Sequence, residues 1–168
     1  IFYCNLNNKI KFIPDIYEKY ELKNLEIQAD QWKIYPTMTT RWTQIKEWYD
    51  DGIYKPYSEE NNGENLINLL IDVKQKMFPW IRLNRVIRDI PSMEIYGGHK
   101  KGNLRQDILT IFKQRGFICN CIRCREVKCV ESDLSKAILC VREYESNQGI
   151  EYFISYESPD NKLLYGFL

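Results

Sequence analysis

A chain of 168 residues, 44% apolar and 28% charged, has the balance of one folded domain or of pieces of two, which excludes a disordered segment. Its net charge of +1 excludes attraction of a polyanion by the molecule as a whole, so any nucleic-acid contact must come from local clustering. No apolar run is long enough to cross a bilayer, and Ile1 to Cys4 is too short for a secretory signal. The chain does not begin with Met and reads as an interior piece of a longer, cytoplasmic protein, in reducing surroundings that disfavour disulfides.

In chain order, Ile16 to Ile27 reads as a helix carrying alternate charges, and Gln31 to Pro36 as a short buried strand stopped by proline. Thr40 is placed to cap a helix over Arg41 to Asp50, where Trp42, Ile45 and Trp48 or Tyr49 recur at helical spacing; Asp51-Gly52 ends it. After a loop at Tyr54 to Ser58, Ser58-Glu59-Glu60 opens a helical run. Its apolar face is Leu66, Leu69, Leu70, Val73 and Met77, and Asn61-Asn62-Gly63 is its weak place. Pro79 closes it. Trp80 to Arg88 reads as a strand, with Ile81, Leu83 and Val86 or Ile87 on one side and basic residues on the other.

Gly97-Gly98-His99-Lys100-Lys101-Gly102 is a basic loop, and Asn103 an N-cap for a helix from Leu104 to Arg115 with Ile108, Ile111 and Phe112 inward. Gly116 supplies the stop. Beyond residue 131 the texture changes to three strands, Ala137 to Tyr144, Ile150 to Tyr156 and Leu163 to Leu168. Asn147-Gln148-Gly149 and Ser158-Pro159-Asp160-Asn161 are the turns between them.

Between the two textures stand Cys119, Cys121, Cys124 and Cys129. Cys-x-Cys-x-x-Cys lets consecutive thiolates turn onto one ion, and zinc takes four such ligands in a tetrahedron. The fourth would be Cys129, by proximity, or His99, a nitrogen donor. Reduced structural cysteines and an iron–sulfur cluster are the other readings; cysteines this close make poor disulfide staples. Arg82, Arg85, Arg88, Lys100, Lys101, Arg105, Arg115, Arg123 and Arg125 crowd one stretch in which the acids are Asp89, Glu94 and Asp107. Such a local excess favours phosphate contacts through counterion release. No phosphate-cradling glycine loop and no complete set of catalytic groups is present.

Lys33-Ile34-Tyr35-Pro36-Thr37, Tyr54-Lys55-Pro56-Tyr57-Ser58, Arg85-Val86-Ile87-Arg88-Asp89-Ile90-Pro91, Asn103-Leu104-Arg105-Gln106 and the run Cys119 to Val127 follow one another along the chain. In this order they resemble the catalytic subunit of Elongator, the radical-SAM and acetyltransferase family that modifies wobble uridine in tRNA. Arg142-Glu143-Tyr144, Glu151 to Glu157 and Leu164-Tyr165-Gly166 are similar to the opening strands of that family's acetyltransferase domain.

The resemblance implies an α/β chain in three parts. Residues 1–115 would be the C-terminal part of a radical-SAM (βα) barrel, 116–131 a zinc-binding linker, and 132–168 the first antiparallel strands of a GNAT-type acetyltransferase fold. It implies carboxymethylation of uridine 34 at C5, with acetyl-CoA, S-adenosylmethionine and a 4Fe–4S cluster serving the full enzyme. The partners would be tRNA and, in a eukaryotic-like setting, other Elongator subunits; neither membrane nor DNA is expected. Lys33 and Tyr35 would face the barrel mouth. Arg85, Arg88, Lys100, Lys101, Arg105, Arg123 and Arg125 would meet RNA. The family's iron–sulfur cysteine triplet and its glycine-rich acetyl-CoA loop are absent from this chain, so alone it is expected to be inactive. The alternative is a non-catalytic, zinc-stabilised RNA-binding module.

Overall fold

A computed structural model describes residues 29–128 and 134–168; the helix expected at Ile16–Ile27, and Cys129, lie outside them. The helical elements are α1 (Gln44–Asp50), a 3-10 turn (Tyr57–Gly63), α2 (Glu64–Lys76), α3 (Leu104–Arg115) and α4 (Ile122–Arg125). The strands are β1 (Gln31–Lys33), β2 (Thr39–Thr40), β3 (Arg82–Arg85), β4 (Ile95–Gly97), β5 (Ile138–Ser146), β6 (Gly149–Glu157) and β7 (Leu164–Phe167). β1 and β3 form a two-stranded sheet. The described residues divide into two compact units that do not follow chain order, 33–73 with 85–117, and 29–32 with 74–84, 118–128 and 134–168. No described helix is long and apolar enough to cross a membrane.

In the first unit β2 pairs antiparallel with β4, Thr39 opposite Gly97 and Thr40 opposite Ile95. Thr40 is therefore engaged in a ladder and does not cap a helix. The chain turns through Arg41 and Trp42 first, and α1 starts after Thr43, whose hydroxyl donates to the Thr40 carbonyl at 2.7 Å. Gly97 is obligatory at this crossing, because a Cβ there would lie 2.6 Å from both Thr39 Oγ1 and Tyr49 Cε2. The weak place before α2 is a real break: Asn61 and Asn62 take left-handed φ of 46° and 52°. In α2 the residues Leu66, Leu70, Ile71 and Val73 are buried, as are Leu104, Ile108 and Phe112 in α3. Gly116 ends α3 at φ 67°, the left-handed stop that glycine adopts without a Cβ penalty.

The second unit holds a three-stranded antiparallel meander in the order β5-β6-β7. β5 and β6 pair in unbroken register from Ile138–Glu157 to Ser146–Gly149. Asn147 and Gln148 close the hairpin at φ 43° and 65°, the paired positive values that suit the twist of the two strands. On one sheet face Phe153, Ser155 and Glu157 are buried; on the other Leu139, Val141, Tyr152 and Tyr156 are exposed. The core joins Phe153 to Ile122 and Leu164, with Trp80 and Tyr144 packed against it. The Trp80 ring is stacked between Phe78 and Tyr144 at centroid distances of 4.8 and 4.5 Å.

Trp42 carries a left-handed φ of 56° while 95% exposed, so no packing offsets the steric cost of its Cβ. That cost is about 1–2 kcal/mol for a residue with a side chain. Trp42→Gly is expected to stabilise the chain by about 1 kcal/mol, measured as a higher denaturation midpoint; an unchanged or lower midpoint would show that the turn holds no strain.

Candidate metal centre

The cysteine run is held on both sides within the second unit. Ile122 N donates to the Ile81 carbonyl at 3.0 Å, and Val127 N to the Leu164 carbonyl at 3.0 Å. Between these anchors the chain winds into α4, a four-residue helix with Cys121 at its N-cap. This winding turns Cys124 back toward Cys119 and Cys121. Their Sγ atoms all lie within 4.8 Å of one another, with Cys119 and Cys121 3.5 Å apart and none in a disulfide. Thiolates that serve the separate irons of one cluster must stand further apart than ligands sharing one ion. The spacing fits a single thiophilic ion.

A cation enters this nest from α2. Lys74 Nζ lies 3.4 Å from Cys119 Sγ and 3.2 Å from Cys124 Sγ, and the residue is only 1% exposed. Burial works against its ammonium form, but the charges of Cys119, Cys124 and Cys121 outweigh it and raise its pKa above the ordinary lysine value. Hydrogen bonds from Cys119 and Cys121, and then Lys74, hold the Cys124 thiol far below its ordinary range. Cys119, hydrogen-bonded above all to Cys121, is pushed far above it. Lys74 is the neighbour of the cysteines that sequence reading missed: in Asp72-Val73-Lys74-Gln75-Lys76 it has the look of a solvated helix position.

The arginines of the run face elsewhere. Arg125 is 3% exposed and its guanidinium is fully engaged. Nε donates to the Asn120 carbonyl at 2.7 Å, Nη2 to the Pro79 carbonyl at 2.8 Å, and Nη1 lies 2.8 Å from Glu157 Oε2. The Glu157 side chain, with no solvent exposure, also takes both Nη atoms of Arg142, at 2.6 and 2.9 Å, and the Ser155 hydroxyl at 2.7 Å. Burial alone would raise its pKa, but Arg142, Arg125 and Ser155 hold it at about 2. Arg123 is half-buried and pairs with Glu126 at 3.4 Å, which also binds Arg82 at 2.6 Å.

The other expected site residues lie in the first unit. Arg85, Arg88, Lys100 and Lys101 are exposed and Arg105 is half-buried; Arg85 also pairs with Asp89 at 3.2 Å. Lys33 is exposed and Tyr35 half-buried. His99 is partly buried, its pKa lowered by that burial and by Lys101, against Asp107. Its Nε2 has no partner among the described residues. Among the described residues the group placed to hold a metal ion is Cys119, Cys121 and Cys124; His99 is not a member of it.

A family model described as the Radical_SAM C-terminal domain matches residues 29–113. The chain belongs to the Radical_SAM C-terminal domain family. Relatives of this family member extend the similarity past the matched domain into the meander. It is 37% identical over 164 residues to a tRNA uridine(34) acetyltransferase of Methanocaldococcus jannaschii, covering 94% of this chain and 29% of that protein. To the human Elongator complex protein 3 it is 36% identical, covering 87% of this chain and 27% of the relative. The solved Elp3 of Methanocaldococcus infernus with an N-terminal deletion superposes at TM-score 0.77 and 34% identity, over 92% of this chain and 36% of that one. The chain therefore spans less than a third of the length of these curated relatives.

Glu157→Gln leaves Arg125 buried beside a neutral partner, and breaking a buried pair from one side costs about 3–5 kcal/mol. A loss of that size is expected in denaturant unfolding; a loss below about 1 kcal/mol would show the pair to be dispensable. Because the Glu157 carboxyl is held at about 2, below the ordinary glutamate value of 4.5, its contribution is complete above the higher value. It should drain away as pH falls toward the lower one. The acid limb of the stability profile of the Gln variant should be flatter than that of the parent chain.

Proposed function

We propose that this chain is a segment of an enzyme that carboxymethylates C5 of the wobble uridine in tRNA, acting in the cytoplasm. The observation that carries the reading is the 37% identity, over 94% of the chain, to a protein named tRNA uridine(34) acetyltransferase. In this reading residues 1–115 belong to the radical-SAM barrel, 116–131 form a zinc-bearing linker and 132–168 begin the acetyltransferase fold. Cys119, Cys121 and Cys124 would hold zinc, whose role is structural. A four-coordinate ion fixes a short loop that has too few apolar residues to fix itself. S-adenosylmethionine, the 4Fe–4S cluster and acetyl-CoA would bind through other parts of the full enzyme. In a eukaryotic-like setting, Elongator subunits would be its partners. Lys33 and Tyr35 are the candidates for the barrel mouth.

The geometry supports a division of labour. Arg85, Arg88, Lys100 and Lys101, exposed and with few acids near them in sequence, are suited to tRNA phosphates, with Arg105 beside them. Arg125 is spent on Glu157 and backbone carbonyls and presents no donor to solvent; Arg123 is a lesser candidate because Glu126 already holds it. Binding of an unmodified tRNA should weaken steeply with added salt. Changing Lys100 and Lys101 together to Ala should make the slope of log affinity against log salt shallower by about 1.5. Affinity that is absent, or unmoved by salt, would overturn the tRNA surface. Tight binding by a full-length protein that shows no uridine modification would favour the non-catalytic RNA-binding module instead.

A further inference from the structure

The described residues supply three thiolate donors, whereas a structural zinc ion takes four donors in a tetrahedron. With metal–sulfur bonds near 2.3 Å and metal–nitrogen bonds near 2.0–2.1 Å, the edges of that figure are about 3.8 Å between sulfurs and about 3.5 Å from sulfur to nitrogen. Cys119 and Cys121 are separated by 3.5 Å, and Lys74 Nζ stands 3.4 and 3.2 Å from the Sγ atoms of Cys119 and Cys124. Each of these separations is close to a tetrahedral edge. We propose that Lys74 Nζ is the fourth donor, which makes this a three-cysteine, one-lysine metal centre. The proposal deepens the zinc reading above and rests on it.

Burial and position support it together. At 1% exposure Lys74 Nζ stands against the sulfurs of Cys119 and Cys124, within reach of an ion that those thiolates would hold. A neutral amine is a nitrogen donor, as imidazole is, and a bound divalent ion displaces its proton to solvent just as it displaces the protons of the thiols. The donor also comes from a different place in the chain. Lys74 is in the last turn of α2, 45 residues before Cys119. Three cysteines within six residues can close only a local loop. A lysine ligand ties that loop to the end of a helix, and one ion then restrains two distant segments.

The competing arrangement keeps Lys74 as an ammonium that only hydrogen-bonds to the thiolates, with Cys129 as the fourth ligand. X-ray absorption on the zinc-loaded chain separates the two by counting sulfur and nitrogen scatterers. Three sulfurs and one nitrogen are expected, and four sulfurs would overturn the lysine ligand while leaving the zinc site standing. Zinc competition with a chromophoric chelator adds a second readout. Lys74→Met and Lys74→Arg should each lower affinity at least tenfold, since arginine keeps the cation but cannot coordinate, and Cys129→Ser should bind as the parent does. Lys74→Arg with parental affinity, or Cys129→Ser with a tenfold loss, would overturn the proposal. A parent chain that binds no zinc would overturn the proposal and the zinc reading together. If the Lys74 variants do not fold, the scatterer count on the parent chain decides together with His99→Ala: three sulfurs and one nitrogen, with parental affinity in His99→Ala, supports Lys74, and a tenfold loss in His99→Ala overturns it.

Discussion

One buried carboxylate organises the second unit. Glu157 sits at the end of β6 without solvent contact and receives two guanidiniums and a hydroxyl. Arg125, the nearer guanidinium in burial terms, spends its remaining donors on the carbonyls of Pro79, Asn120 and Asn161. Its neighbourhood is thereby assembled from the segment leading into β3, the cysteine run and the turn before β7. An ion pair so deeply buried gains little net free energy over an apolar contact of the same volume. Its effect is to join the cysteine run, through Arg125, to a β6 carboxylate that Arg142 holds as well.

The same loop therefore has two fasteners of different chemistry. The cysteines turn one way, onto each other and onto Lys74. Arg125 turns the other way, onto Glu157. In the alternating run the cysteines gather with Lys74, while Arg125 pairs with Glu157 and Arg123 with Glu126. The proposed zinc would offset the mutual repulsion of the three thiolates that hold it. The exposed cations that suit phosphate lie on the first unit, near the end of β3 and in the loop before α3.

Much of the fold was legible because its signals are local. The helix expected at Leu104–Arg115 is found with those bounds, since an i, i+4, i+8 apolar stripe and a left-handed glycine stop are both written between Leu104 and Gly116. The hairpin at Asn147–Gln148 was legible for the same reason. β2 and β4 were not foreseen, because strands of two and three residues show no period, and their pairing depends on Gly97 admitting Thr39 and Tyr49. That pairing also displaced the start of α1 from Arg41 to Gln44. The site divides in the same way. Cys119, Cys121 and Cys124 announce themselves by spacing. Lys74 and Glu157 do not, because their charged or sulfur partners lie 15 to 50 residues away, and a charged residue in an amphipathic segment has the look of a solvated one until the fold shows what covers it.

The proposed function assigns tRNA contact to the exposed cations of the first unit and a structural role to the cysteine run. Hydrogen–deuterium exchange of the chain with and without an unmodified tRNA tests this directly. The account predicts slowed exchange at residues 85–88 and 98–105 on tRNA binding, with 119–125 unchanged. Protection that falls on 119–125 and spares the basic segments would contradict it.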